Sequence, residues 1–350
     1  MFKWNIHLFR GVSIVLIVFS HCYNLSISSF GQNSDLIAKT FRNMVSGGSA
    51  FFVFISGYLF LTIYESNKKY FSFILKKIKF VYLPFLFFIS FDLYYIFFKL
   101  IINYVRPTDK LQFYKNALFN FDFSSSFFLG TSFISLNILW YVPFIMMMYF
   151  ISPFFLYYSR LRLNFQFYLF LFSLLVSLFL HRNHSFEFVM NFQNVIYFMP
   201  FYLLGILYSM NEELKHFKIS NKTVFYLVLL SMVISIVNNL YNINIFKLID
   251  LMMLQKLCFC IIFSELLKNI NSQNWDIIKV LANNSFGIFF VHSILLYLIG
   301  RVTILYGISY KTESFLIYFM IATAILFTSL IIVMMIKKII GSKSKYFIGV

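Results

Sequence analysis

Arg10 and His21 lie 11 residues apart in one apolar run near the start of the chain. On an α-helix that spacing is three turns plus about 20°, so both side chains share one face, about 16 Å apart along the axis. An ionisable group inside a bilayer is costly and marks function by default. Each residue also has a structural reading. Arg10 can be an interfacial anchor whose head snorkels to the headgroups, and His21 a hydrogen-bonded polar residue near a helix end. Two such groups on one face favour chemistry. An imidazole is the usual general base near neutral pH, and a guanidinium stabilises developing negative charge.

Other polar groups fall in later apolar runs. His292 is again a histidine within a span. Asp92 needs a partner, and Arg10 or His21 could serve. Lys256 and Glu265 share a run, with Glu265 near its inner end and read as structural. Lys76, Lys77 and Lys79 stand just before Pro84. They read as an anchor on the cytoplasmic side or as a site for phosphates. Trp140 and Tyr141 follow Asn137 at the head of another run, where aromatic side chains commonly form an interfacial belt. Small residues in Gly47-Gly48-Ser49-Ala50 and Ser56-Gly57 allow helices to approach closely, and packing is the favoured reading there.

Helices in lipid must hold these residues. Of 350 residues 61% are hydrophobic and only 12% charged, with 51 Phe and 24 Tyr. A soluble domain carries about a quarter charged residues, so no water-soluble fold hides this much apolar surface. A span needs about 20 mostly apolar residues. Ten candidates follow: 6–26, 45–64, 79–101, 138–158, 164–181, 193–210, 223–241, 246–267, 281–300 and 315–336. The fold class expected is therefore all-α, integral to the membrane, with about ten transmembrane helices and both termini on one side. With the N-terminus in the cytoplasm, 17 of the 29 Lys and Arg fall in inner segments and 10 in outer ones, leaving Arg10 and Lys256 within spans. Positive-inside bias thus puts both termini in the cytoplasm. It also accounts for the net charge of +17 without nucleic acid. Residues 1–350 read as a single membrane-embedded domain with no attached soluble domain. Cys22, Cys258 and Cys260 all lie in apolar stretches without a C-x-x-C pair, so neither a disulfide framework nor a metal site is expected.

Five short segments, in order along nearly the whole chain, resemble the acyltransferase family 3 membrane proteins, which O-acylate cell-surface glycans. They are Arg10-Gly11 with His21; Phe51-Phe52-x-x-Ile55-Ser56-Gly57-Tyr58-Leu59; Leu139-Trp140-Tyr141 with Pro153; Phe198-Met199-Pro200-Phe201 through Gly205; and Ser285-Phe286-Gly287 through His292. Two positions depart from the family pattern. Where many members carry an Arg-x-x-Arg pair this chain has Lys77-x-x-Phe80, so the second Arg's role is unfilled or falls to Lys79, and Asn137 stands where many members carry a His.

The resemblance implies transfer of an acyl group, most often acetyl, from cytosolic acyl-CoA to a hydroxyl of a lipid-linked or cell-surface glycan. His21 and Arg10 would be catalytic. Lys76, Lys77 and Lys79 would bind CoA phosphates, and Ser56, Asp92, Asn137, Trp140, Tyr141 and His292 would bind substrate or support the site. Acyl-CoA would be a co-substrate, with no bound cofactor or metal. The expected surroundings are the cytoplasmic membrane, and self-association is left open. Two other readings compete: a transporter or flippase for a lipid-linked glycan, and a non-catalytic assembly subunit. The first is often built from matched halves with broken helices, yet all five prolines precede residue 201. The second would tolerate loss of Arg10 and His21.

Overall fold

The computed structural model describes residues 3–26, 32–67, 69–90, 139–182, 188–214, 219–240, 249–269, 275–306 and 315–350, with Tyr94 and Ile101 singly. It is 92% helical, with no strand among the described residues. In chain order the helices are α1 (Trp4–Ser26), α2 (Gln32–Val45), α3 (Gly48–Asn67), α4 (Tyr70–Lys77), α5 (Tyr141–Phe150), α6 (Ser152–Arg160), α7 (Leu163–Leu180), α8 (Phe188–Leu214), α9 (Asn221–Leu240), α10 (Leu251–Leu266), α11 (Asp276–Tyr306), α12 (Phe315–Ile340) and the short α13 (Ser344–Phe347).

Among the described residues six stretches are long and apolar enough to span a bilayer, and a seventh if α5 and α6 form one bent span. α8 and α10 occupy two more of the places expected from the sequence. The third expected span is described only through Ser90, so the count of ten stays an expectation. One helix was not expected. α2 is too polar for a span, and its alternating faces suit a helix lying along a surface.

Three prolines shape the bundle. Pro84 lacks the N–H of a regular turn and would crowd the carbonyl four residues back. The chain widens into a π-turn over Ile78–Tyr82 just before it, with the Leu83 N–H reaching the Ile78 carbonyl, and is helical again over 83–90. Near Pro153 the α5 and α6 axes bend by 54° at Ile151. The freed Phe150 carbonyl accepts from the Tyr70 hydroxyl at 3.0 Å. Pro200 sits inside α8 and leaves the Ile196 carbonyl without a helical donor. Ser177 of α7 supplies one at 2.9 Å. A bilayer offers no water for such groups, so side chains must satisfy them.

α3 and α8 form an intimate pair. A Cβ at Gly57 would collide with the Tyr202 carbonyl, and one at Gly205 with the Phe54 carbonyl. The small residues therefore act as the packing reading said. Gly47, at φ +83°, turns the chain between α2 and α3. Lys256 of α10 packs against that turn and its Nζ donates to the Asn43 carbonyl near the end of α2. Buried in this way, Lys256 serves the α2–α3 corner. α1 lies centrally, against α3, α11 and α12. α7, α9 and α12 carry exposed Phe172, Phe225, Leu316 and Ile331, the surface expected against lipid tails.

Candidate active site

α1 and α11 run side by side in the same direction. A Cβ at Gly11 would strike the Ile278 carbonyl, so the two backbones touch there. One turn and more beyond, two polar contacts join them. Arg10 Nε donates to Ser285 Oγ at 2.7 Å, and His21 Nδ1 lies 3.0 Å from His292 Nε2. Ser285 and His292 are seven residues apart, two helical turns, and so share one face of α11. Arg10 and His21 share a face of α1, as their spacing predicts.

The chemistry of the partners fixes the protons of the histidine pair. His292 Nδ1 faces the Ile288 carbonyl at 2.8 Å, and a carbonyl only accepts, so Nδ1 of a neutral His292 holds the hydrogen. His292 Nε2 is then a lone pair, and His21 Nδ1–H donates to it. His21 Nε2 is left unprotonated, the form a general base needs. The two rings lie parallel, 3° apart in plane, with centroids 5.3 Å apart.

Arg10 also lines a cavity of about 250 Å³ shared with Ser56, Lys77, Tyr141, Tyr149 and Tyr202. Ser56 and Tyr141 face each other across this cavity's lining. Lys77 enters from the π-turn side, its Nζ 4.4 Å from the Tyr149 ring centre. His21 and His292 do not line the cavity. Phe289 stands between, its ring 5.9 Å from Tyr141 and 6.0 Å from His292. The sequence profile of an acyltransferase domain matches residues 3–336. The chain belongs to acyltransferase family 3. No curated protein and no solved structure matches it.

Membership, together with the apolar helices, makes the family 3 chain a multi-pass membrane acyltransferase. Its structure gathers some expected site residues and separates others. Arg10, Ser56, Lys77 and Tyr141 meet in the cavity, and His21 meets His292. Lys76 is exposed and is not among the residues lining this cavity. Lys79 turns toward residues 344–350, its Nζ 5.0 Å from the Tyr346 ring. Asp92 and Asn137 lie outside the described residues, and Arg10 and His21 have the partners named above. Trp140 is buried beneath the Arg182 guanidinium, which lies 4.3 Å from its ring.

Three residues of this acyltransferase escaped the sequence. Ser285 was visible only as part of a motif, and Tyr202 only as an aromatic on an apolar helix. Arg182 was counted as an outer loop charge, and nothing in its neighbours signalled otherwise. At the opposite end Glu265 is structural, as read. Lys268 bridges Glu212 and Glu265, each at 2.9 Å, while the Tyr58 and Tyr208 hydroxyls donate to the same carboxylates. Burial disfavours the Lys268 charge, but the bonds to Glu212 and Glu265 outweigh it and raise its pKa above the usual lysine value.

Proposed function

We propose that this family 3 protein is an O-acyltransferase of the cytoplasmic membrane, moving an acyl group, acetyl by preference, from cytosolic acyl-CoA to a hydroxyl of a cell-surface or lipid-linked glycan. The observation that carries the reading is the relay from Ile288 through His292 to His21, which leaves His21 Nε2 free to accept a proton.

The donor enters at the lysine-rich end. Lys77 and Lys79 hold its phosphates there, and the thioester arm lies in the cavity beside Arg10 and Ser56. To reach His21 the acyl group passes the partition made by Tyr141 and Phe289. The acceptor hydroxyl gives its proton to His21 Nε2 as its oxygen bonds to the thioester carbon. The charge gathers on the carbonyl oxygen, the C–S bond then breaks, and the proton passes from His21 to the leaving thiolate. The products are the glycan ester and free CoA. The imidazolium formed midway is stabilised by its Nδ1–H bond to His292, as an orienting partner stabilises the base in other acyl-transfer sites.

His21→Ala tests this. Insertion should not suffer, since the change removes a polar group from a span. General-base catalysis contributes about 10²–10⁴-fold, and a loss of that size is expected in acetyl transfer to surface glycans, read by mass spectrometry. Near-normal glycan acylation at wild-type expression would sink the mechanism.

A further inference from the structure

We propose that Arg182 and Asn194, beside Trp140, form the subsite that holds the acceptor's sugar ring at the His21 end of the molecule. This rests on the acyl-transfer reading and gives its acceptor a place.

The case begins with two buried polar groups that lack partners. Asn194 is 0% exposed, and neither its amide nitrogen nor its amide oxygen has a hydrogen-bond partner among the described residues. The Arg182 Nε is buried and without a partner in the same way. A buried polar atom left unpaired costs about 1–3 kcal/mol, so such groups persist where something else pairs with them.

Helical register and ring contacts set both beside Phe198 on α8. Asn194 precedes Phe198 by one helical turn and so shares its face of α8. The Phe198 ring stacks on Trp140 at 5.9 Å, and the Arg182 guanidinium lies 6.0 Å from Phe198. Arg182 also lies within electrostatic reach of His21. The chain turns Arg182 inward at a cost. His181 before it sits at φ 56°, ψ 158°, a conformation that side chains rarely adopt, and such strain gathers at functional sites. Its surroundings are built to hold it. Gln193, next to Asn194, donates to the Leu180 and His181 carbonyls at 3.1 and 3.3 Å. The Asp250 N–H caps the Leu178 carbonyl at 2.9 Å. The Asp250 carboxylate is itself occupied, by the Tyr197 hydroxyl at 2.7 Å and the Met253 N–H at 3.2 Å.

The unpaired set is one charged donor, one amide donor and one amide acceptor next to an aromatic ring. That set suits the neighbouring hydroxyls of a sugar, which both donate and accept. It holds them within electrostatic reach of the base that would deprotonate the reacting hydroxyl.

Binding can be read without turnover. The chain has 3 tryptophans, so Trp4→Phe with Trp275→Phe leaves Trp140 as sole reporter. This protein, in lipid nanodiscs, is titrated with n-octyl β-D-glucopyranoside, the galactoside and the N-acetylglucosaminide below micelle formation. At least one should change Trp140 emission saturably. Arg182→Gln and Asn194→Leu should each weaken that binding at least tenfold, about 1.4 kcal/mol. Asn194→Leu should also leave thermal stability equal or higher, because it removes an unpaired buried amide. No saturable response to any glycoside, unchanged affinity in both variants, or a destabilised Asn194→Leu protein would overturn the subsite. Failure of the wild-type protein to cleave acetyl-CoA would instead overturn the acyl-transfer reading, leaving glycoside binding as it stands.

Discussion

His21 and His292 have unequal parts, although both are buried imidazoles. In the proposed mechanism one offers its free nitrogen to substrate, and the other holds that nitrogen in place. His292→Ala should therefore lower kcat by roughly 10²-fold, within the range for acid–base catalysis, and leave KM for acyl-CoA unchanged. Steady-state kinetics on the purified protein would show this, and a rise in KM with kcat intact would argue against an orienting role. The lysines divide differently. Lys77→Ala should raise KM for acetyl-CoA more than it lowers kcat, because phosphate binding is equal in ground and transition states. Lys76→Ala should change neither, since Lys76 is exposed and does not line the cavity. The same kinetics decide it, and equal effects of both substitutions would reduce the cluster to a topology signal. At this scale the sequence revealed Arg10 and His21 through helical periodicity. It could not reveal their partners, which lie 275 and 271 residues away, because no local rule links residues on different helices.

Elements position those side chains through close approach. Gly57→Ala should lower the thermal midpoint of the detergent-solubilised protein clearly, by an overpacking cost of about 1–3 kcal/mol, because its Cβ meets the Tyr202 backbone. Gly300→Ala is the control and should be silent, with nothing within 4 Å of the added carbon. Equal midpoints for the two would show that α3 can slide away from α8. Most helices were legible, since long apolar runs have few alternatives in lipid. Breaks were harder. Pro153 was seen as part of a motif, but its 54° bend depends on Tyr70 satisfying the Phe150 carbonyl, a contact between distant segments. α2 was missed because hydropathy finds spans and passes over helices with one polar face.

Across the whole molecule, the two ends of the chain lie at one end of the bundle. Trp4 packs under Lys279 at 5.1 Å and Lys337 bonds Asn284 at 3.0 Å, so the first and last long helices meet α11 at one end of the bundle. Reporter fusions should place residue 350 in the cytoplasm and residues within 106–120 outside, and a C-terminal fusion reporting from outside would invert the proposed orientation. The join between α1 and α11 has a further consequence, for biogenesis. Ser285 leaves the ribosome 275 residues after Arg10, which at about 5–20 residues per second takes roughly 14–55 s. Throughout that interval the first span sits in the bilayer with its guanidinium and imidazole lacking their final partners. A truncated chain lacking α11 would strand them there, so the proposed site is completed only late in synthesis.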